Sequence, residues 1–302
     1  VVRDEQIDFL LAVGGGSVMD GTKFVALAAN HGDNCEDLLQ HGFKPVPVAG
    51  AVPLGTVVTL PATGSEMNHG GVISHGAGKY PIFSPLVFPR FSILDPTLTF
   101  TLPPTQVANG VVDTFIHTVE QYVTVPAEGR FQDRVAEGIL QTLIEIGPVT
   151  LANPTDYDAR ANLMWTATLA LNGIVGAGVP QDWATHMIGH EITAFYGLDH
   201  AQSLAVVQPH LLRVMIEDKQ EKLTLMGKEV FDMPHNYEMV IEAIEYMYQS
   251  IGVPTKLSAY EIDDKVISNV SAALTKNGYT AMGENANITL DKVATILTMS
   301  MK

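Results

Sequence analysis

The sequence predicts an α/β nucleotide-binding region followed by an all-helical region. Three observations predict this arrangement. A short apolar segment, 9–13, ends at three consecutive glycines, which is typical of a buried strand in a parallel sheet followed by a tight turn. A helix-like apolar pattern, 21–29, comes next. From Pro103 and Pro104 onward the apolar residues recur with a period of about 3.6 residues, which indicates helices.

Two further segments of the first region are candidate strands of the same parallel sheet. They are 49–60, which contains Pro53 and Gly55, and 91–94. Because segment 9–13 is apolar throughout, we expect it to be a central strand with a neighbour on each side and helices over both faces. The residues after it supply too few strands for such a sheet. We therefore expect the native protein to have further residues upstream of Val1, and the sheet to be incomplete within this chain.

The second region is predicted to consist of helices. The helical pattern covers six segments, which are 105–123, 158–176, 182–196, 200–216, 237–251 and 290–301. The sequence has no internal repeat and no low-complexity linker, so the change of period and the prolines at 96–104 set the boundary. The predicted domains are therefore residues 1–100 and residues 101–302.

Size, charge and cysteine content limit the classes of protein. The chain has 302 residues, of which 46% are hydrophobic, and this is enough for two ordinary domains. Its net charge of −16 would repel nucleic acid and anionic lipid surfaces, so we expect neither partner. The single cysteine, Cys35, cannot form an internal disulfide. With no secretory signal and no apolar run long enough to span a bilayer, the sequence predicts a cytoplasmic protein.

The glycines after segment 9–13 form a candidate phosphate-binding turn, GGGSVMDGTK at 14–23. Glycines let the backbone approach a pyrophosphate, and the N-terminus of the next helix offers free N–H groups. The spacing differs from the GxGxxG fingerprint, and three glycines after a strand are often an ordinary turn. A second polar loop, 59–68, follows the next strand, where doubly wound sheets bind ligands. Its Ser65 and Glu66 are alternatively read as capping residues.

Histidines and an aspartate at helical spacing form a candidate metal site in the second region. Asp113 and His117 are four residues apart and share a helix face, as do His186 and His190, and His200 follows ten residues later. Unpartnered buried polar groups are costly, so these five in apolar helices favour metal ligation over a structural role. Three imidazoles and one carboxylate suit Fe²⁺ or Zn²⁺, so the five candidates compete for four ligand positions.

Metal hydrolysis is a minor alternative for this site. A metalloprotease would need a glutamate within the helix that carries the paired histidines, but Met187, Ile188 and Gly189 occupy those positions. A glycine-rich nucleotide turn together with a Lewis-acid metal instead suggests hydride transfer. The metal would polarise an alcohol or carbonyl while a nicotinamide cofactor takes or gives hydride.

Four motifs resemble those of the iron-containing (group III) alcohol dehydrogenases, in particular the butanol dehydrogenase and NADPH-dependent aldehyde reductase branch. The motifs are GGGSVMDGTK at 14–23, LPATGSEMN at 60–68, NGVVDTFIHTVEQY at 109–122 and a block from DWATHMIGHE to DHAQSLA at 182–205. They occur in the family's order, and the resemblance covers the whole chain. It implies an incomplete Rossmann-like domain followed by a helical metal-binding domain, in a dehydroquinate synthase-like fold.

The resemblance also implies roles for individual residues. It assigns the metal, Fe²⁺ or Zn²⁺, to Asp113, His117, His186 and His200. It places His190 near the substrate, where an ordinary imidazole pKa of about 6.5 would suit a proton relay. It assigns NAD or NADP to Gly15, Gly16, Ser17, Asp20, Thr59, Thr63, Asn68 and Lys79.

Some of these implications remain open. Lys79 lies in a variable segment where a solvated surface lysine is an equal alternative, and His69 and His75 are interpreted as structural or exposed. The resemblance implies a homodimer that acts on a small primary alcohol or aldehyde. A polyol dehydrogenase of the glycerol type and a dehydroquinate synthase-like lyase are alternatives, as is a metal-stabilised scaffold without catalysis. Family members carry further residues ahead of Val1 that contact the adenosine end, so the choice between NAD and NADP stays open.

Overall fold

The computed structural model describes residues 1–32, 34–76, 78–233 and 236–302. The elements of its first part are β1 (Leu10–Gly14), α1 (Gly16–Ala28), β2 (Leu54–Val58), β3 (Gly70–His75), β4 (Gly78–Phe83) and β5 (Ser92–Ile93). Strands β1, β2 and β5 form a parallel sheet in that order. The three predicted strands and the helix after the first are therefore confirmed. Strand β1 has the expected length, β2 and β5 are shorter than expected, and the helix begins at the glycine turn.

Strand β1 lies at the edge of this three-stranded sheet, so the sheet is incomplete among the described residues, as expected; a central place for β1 in the native protein stays a prediction. It pairs with β2 from Leu10 opposite Leu54 to Gly14 opposite Val58. Its buried Ala12 belongs to a small core with Met19 of α1 and Val58, whereas Leu11 and Val13 are each 55% exposed. An apolar run shows that a segment favours burial, but it does not identify what covers the second face.

An antiparallel hairpin, formed by β3 and β4, was not predicted. Gly70 pairs with Phe83 and His75 with Gly78. The hairpin is joined to α1, because the Val72 N–H donates to the Asp20 carboxylate at 2.8 Å. Glycines, a proline and polar side chains interrupt the alternating pattern that usually indicates a strand, so the hairpin could not be recognised from the sequence.

The second part is helical, as predicted. Its helices are α2 (Pro104–Tyr122), α3 (Arg130–Ala152), α4 (Tyr157–Leu171), α5 (Ala184–Tyr196), α6 (His200–Val214), α7 (Ile216–Val230), α8 (Tyr237–Ser250), α9 (Lys265–Lys276) and α10 (Leu290–Ser300). The six predicted helices are present, although α4 ends at Leu171 rather than 176 because Gly173 adopts a positive φ of 100°. Helices α3, α7 and α9 were not predicted, nor was a two-residue hairpin of β6 (Ala281–Met282) and β7 (Ile288–Thr289).

Helix α2 runs through the centre of the helical part. It is buried from Val107 through Tyr122, within a core that also contains residues of α3, α4, α6, α7 and α8. A second core lies among α5, α6, α9 and α10. The three helices that carry the candidate ligands, α2, α5 and α6, are therefore held rigidly by close packing on several sides.

Helix α3 is the one helix of the described residues that is long and apolar enough to cross a membrane, with a mean hydropathy of 1.3 over its best window. Its Ala136, Leu140 and Leu143 are fully buried in the core around α2. Core helices of globular proteins often have such a composition, so this helix alone is weak evidence for a membrane span.

Candidate metal and cofactor site

One cavity lies where the carboxyl ends of β1 and β2 face helices α2, α5 and α6. Its volume is about 740 Å³, within the usual range for ligand pockets. Its wall includes Gly15 and Leu60, which follow the two strands, and His117, His186 and His200 from the helices. The glycine turn at 14–23 and the polar loop at 59–68 therefore line the same cavity as the histidines.

The glycines of the first loop are required by the close approach of the second. A Cβ atom on Gly16 would lie only 2.6 Å from the Thr63 Cγ2 atom, and one on Gly15 would lie 3.1 Å from the Leu60 Cβ atom. Helix α1 begins at Gly16, and the first N–H groups of a helix lack partners within it. The turn therefore offers an anion-binding helix N-terminus at the cavity wall.

Asp20 of α1 joins the first loop to the second loop and to the hairpin. Its Oδ1 atom accepts a hydrogen bond from the Ser65 hydroxyl at 2.7 Å, and its Oδ2 atom accepts one from the Val72 N–H at 2.8 Å. Burial raises the pKa of Asp20, although the nearby Lys23 opposes that shift. Both carboxylate oxygens already have partners, so this side chain organises the loops as well as lining the cavity.

Lys23, one turn after Asp20, is fully buried beneath the second loop. Its Nζ atom donates to the Gly70 carbonyl at 2.7 Å, to the Asn68 Oδ1 atom at 2.9 Å and to the Asn68 carbonyl at 3.0 Å. Burial lowers its pKa to about 8, against the opposing influence of Asp20 and Glu66. Lys23 was not among the predicted site residues, although its three-residue spacing from Asp20 places both on one face of α1.

Seven of the eight predicted cofactor residues lie on the cavity wall, namely Gly15, Gly16, Ser17, Asp20, Thr63, Asn68 and Lys79. Thr59 is not brought to the wall, and its backbone N–H instead donates to the Gly14 carbonyl at 3.0 Å. Lys79 is half-buried on the cavity wall, which favours the cofactor assignment over a solvated surface lysine; burial lowers its pKa, while the charges of Asp113 and Asp20 raise it. His69 and His75 are exposed, as expected.

The side chains of Asp113, His186 and His200 converge, with candidate ligand atoms that all lie within 4.8 Å of one another. The Asp113 Oδ1 atom is 3.8 Å from His186 Nε2 and 3.6 Å from His200 Nε2. His117 lies beside this group, with its Nδ1 atom 3.7 Å from the same oxygen and its ring stacked on His186 at a centroid distance of 4.6 Å. The four predicted metal ligands are therefore brought together from three helices.

Burial and mutual proximity shift the protonation of this cluster. Burial lowers the pKa of His117 to about 4 and that of His200 to about 3. Burial also opposes the charged form of His186, but the carboxylates of Glu120 and Asp113 raise its pKa to about 9. Burial alone would raise the pKa of Asp113, but His117 and His200 outweigh it and lower the pKa below its ordinary range. The cluster therefore offers an ionised carboxylate and two neutral imidazoles, while the two carboxylates beside His186 favour its protonated form.

The residues present fit a divalent metal ion. Asp113 Oδ1, His117 Nδ1 and His186 Nε2 are buried and have no hydrogen-bond partner within the described part of the chain. Unpartnered buried polar atoms are rare because each loses its hydration without compensation. Three nitrogen donors and one carboxylate are a common ligand set for Zn²⁺ and Fe²⁺.

His190 lies on the cavity wall but outside the converging group. Its ring stacks on His200 at a centroid distance of 5.1 Å and is 6.0 Å from that of His186. Burial, followed by the charges of His200 and His186, lowers the pKa of His190 well below its ordinary value. The expectation of an ordinary pKa near neutrality is therefore wrong, because it assumed a solvated ring.

Two further residues at this site were missed by the sequence analysis. Glu120 is buried on α2, and its carboxylate contacts the His186 Nδ1 atom. Its position three residues after His117 is the signal that could have revealed it. Trp183 has a positive φ of 65°, and its indole lies 5.4 Å from the His186 ring and 6.2 Å from the His117 ring. Such a backbone conformation is strained for a bulky residue and is typical of functional sites.

Comparison with known proteins places the chain in a family. The family described as iron-containing alcohol dehydrogenase matches residues 1–96, and the C-terminal part of the Fe-containing alcohol dehydrogenase family matches residues 107–301. The chain is 52% identical over 300 residues to the NADPH-dependent aldehyde reductase YqhD of Escherichia coli, covering 96% of this chain and 77% of that protein. It is 33% identical to the NADH-dependent butanol dehydrogenase A of Clostridium acetobutylicum, covering 99% of this chain and 79% of the other.

Solved structures of related proteins have the same fold. The crystal structure of the E. coli protein YqhD superimposes with a TM-score of 0.96 at 51% identity, covering 99% of this chain and 78% of that chain. That of the NADH-dependent butanol dehydrogenase A from Thermotoga maritima gives a TM-score of 0.92 at 30% identity, covering 100% and 78%.

A nicotinamide-dependent oxidoreductase with a metal centre is the class of protein that this fold and site define. The chain belongs to the iron-containing alcohol dehydrogenase family and acts on the alcohol or aldehyde group. The comparisons give no support to the polyol dehydrogenase and lyase alternatives.

Proposed function

We propose that this chain reduces small aldehydes to primary alcohols with NADPH, and catalyses the reverse oxidation, with Fe²⁺ or Zn²⁺ bound by Asp113, His117, His186 and His200. The observation that carries the proposal is that these side chains open on the same cavity as the glycine turn. The preference for NADPH is supported by the similarity to the E. coli aldehyde reductase. Other relatives are named NADH-dependent, so both cofactors belong in the test.

Each part of the cavity has a role in this proposal. Gly15, Gly16 and Ser17 bind the pyrophosphate through backbone N–H groups at the start of α1. Asp20, Thr63 and Asn68 order the second cofactor loop, and Lys79 contributes a positive charge between the cofactor loops and Asp113. When bound, the metal supplies Lewis-acid polarisation of the substrate oxygen and the nicotinamide supplies hydride.

Two residues shape the substrate end of the cavity. The indole of Trp183 forms an apolar wall beside the histidines and is fixed by a hydrogen bond from its Nε1–H to the Gln181 Oε1 atom at 2.9 Å. This wall suits a short alkyl chain next to the reacting carbon. His190 lies near the substrate oxygen, where its neutral ring forms a hydrogen bond with the substrate hydroxyl group.

Turnover of butanal tests the function directly. The chain, first freed of metal and then loaded with either Fe²⁺ or Zn²⁺, is mixed with butanal and NADPH or NADH, and the loss of reduced-nicotinamide absorbance is followed. We expect metal-dependent consumption that is faster with NADPH. A fully metal-loaded protein that oxidises neither cofactor would contradict the proposal.

We also propose that the enzyme is a cytoplasmic homodimer without nucleic acid or membrane partners. The charge of −16 and the family resemblance support this assignment. Light scattering of the purified chain would test the dimer by comparing the measured mass with twice 32.6 kDa.

Replacing His190 with alanine is expected to leave the metal bound and to lower turnover by less than about 100-fold. Three other histidines have a nitrogen atom within 3.8 Å of the Asp113 Oδ1 atom, and His190 is not among them, so we expect its loss to remove a substrate contact but no ligand. Metal analysis and butanal turnover of the same preparation measure both effects. A His190→Ala protein purified without metal would show that this histidine, rather than one of the four assigned ligands, holds the ion.

A further inference from the structure

Glu120 connects the two helices that carry three of the four proposed ligands. It lies on α2, after Asp113 and His117, and its side chain is 3% exposed. Its Oε2 atom contacts the His186 Nδ1 atom, and its Oε1 atom accepts hydrogen bonds from the backbone N–H groups of Thr185 at 2.7 Å and His186 at 3.3 Å. One carboxylate therefore contacts both the ring and the backbone of His186.

The backbone contacts lie at the first turn of α5. Because α5 begins at Ala184, the N–H groups of Thr185 and His186 have no acceptor within the helix. A carboxylate at a helix N-terminus satisfies such donors and is stabilised by the helix dipole. Glu120 also accepts a hydrogen bond from Asp182 N–H through its own backbone carbonyl at 2.9 Å. These bonds fix the start of α5 against α2.

The ring contact determines which nitrogen of His186 faces the other ligands. With Nδ1–H donating to Glu120, the Nε2 atom is the one left for a metal. This Nε2 atom is buried without a hydrogen-bond partner and lies 3.8 Å from the Asp113 Oδ1 atom. Carboxylates that accept a hydrogen bond from a metal-binding histidine hold its orientation and raise its basicity.

We propose that Glu120 is a positioning residue that holds His186 in the orientation and tautomer needed for metal binding. It acts through His186 and does not touch the substrate. This inference rests on the proposed metal site but not on the identity of the aldehyde or the cofactor. It predicts that metal affinity falls when the Glu120 side chain can no longer accept a hydrogen bond from the His186 Nδ1–H group, even if α5 keeps its position.

The substitution Glu120→Gln separates the contact with the His186 ring from the contacts with the backbone of α5. Glutamine keeps the length of the side chain and one oxygen for the backbone N–H groups. Zn²⁺ or Co²⁺ is titrated into the metal-free chain against a chelator of known affinity. We expect affinity to fall by about 10-fold to 100-fold. The visible absorption of the Co²⁺-loaded protein should also change, because it reports ligand geometry. Glu120→Asp keeps the charge and should recover part of the affinity.

Glu137→Gln is the matched control. Glu137 is also a buried glutamate, but it contacts Tyr122 and Arg134 rather than the histidines, so its replacement should leave metal affinity unchanged. Wild-type affinity and an unchanged Co²⁺ spectrum in Glu120→Gln would overturn the inference. If Glu120→Gln loses helical circular dichroism, the same titration is made with Glu120→Asp. Wild-type metal affinity and an unchanged Co²⁺ spectrum in that variant would also overturn the inference. A wild-type chain that binds neither ion would instead contradict the proposed function.

Discussion

The chain with His200 replaced by alanine should be folded but almost free of metal and almost inactive. His200 begins α6, and its Nε2 atom faces the Asp113 carboxylate at 3.6 Å. Losing one of four ligands should weaken metal affinity by at least about 100-fold, more than the loss of an outer-shell partner. Metal content after dialysis and butanal turnover measure the two effects on one sample.

His75→Ala is a suitable control for this experiment. His75 is exposed at the end of β3, where its Nε2 atom lies 3.6 Å from a glutamate, Glu36, and it takes no part in the cavity. Its replacement should leave metal content and turnover unchanged. If His200→Ala retains full metal occupancy, His200 is not a ligand and the proposed ligand set is wrong.

The order of strands and helices could be predicted because it depends on local patterns. The apolar run at 9–13 followed by glycines, and the helical period after Pro103, are visible within short windows. The expectation that the sheet is incomplete within this chain is met by the edge position of β1, whereas its neighbours in the native sheet stay a prediction, because strand order is set by contacts between distant segments. Helix α7 was missed for a related reason, since it combines buried Leu223 and Met226 with many charged residues that hide its apolar face.

The candidate ligands could be predicted from the sequence because residues four apart on a helix share one face. Asp113 and His117 are one turn apart on a helix, so the sequence alone places them on one face. Glu120 was missed because its partner His186 lies 66 residues away in sequence, and a glutamate on a helix is usually a solvated residue. The place of His190 outside the ligand group stays a prediction, and its pKa depends on burial, which the sequence does not reveal.

Thr59 illustrates the limit of assigning residues one by one from a motif. The loop that contains it does line the cavity, through Leu60 and Thr63. Thr59 itself continues the alignment of β2 with β1 by donating its N–H to the Gly14 carbonyl. A motif therefore locates a loop more accurately than it locates the side chains that face the ligand.

Replacing Lys23 with methionine should lower the free energy of unfolding by about 3 kcal/mol and weaken cofactor binding. Methionine fills a similar volume, but it leaves the Asn68 and Gly70 carbonyls without the Lys23 donor in a buried position, while the Asn68 Oδ1 atom keeps only the Gly70 N–H. The second cofactor loop should then lose its fixed position against α1. Denaturant unfolding and NADPH titration of the variant measure the two effects.

Lys265→Met serves as the control, because Lys265 is 77% exposed on α9 and its replacement should have little effect. The pH dependence provides a second check. The pKa of Lys23 is about 8 in the folded chain and about 10.5 in the unfolded chain, so the unfolded state binds more protons between these values. Wild-type stability relative to Lys23→Met should therefore increase as the pH rises from 8 towards 10.5. A difference that stays constant or shrinks over this range would mean that burial does not lower the pKa of this lysine.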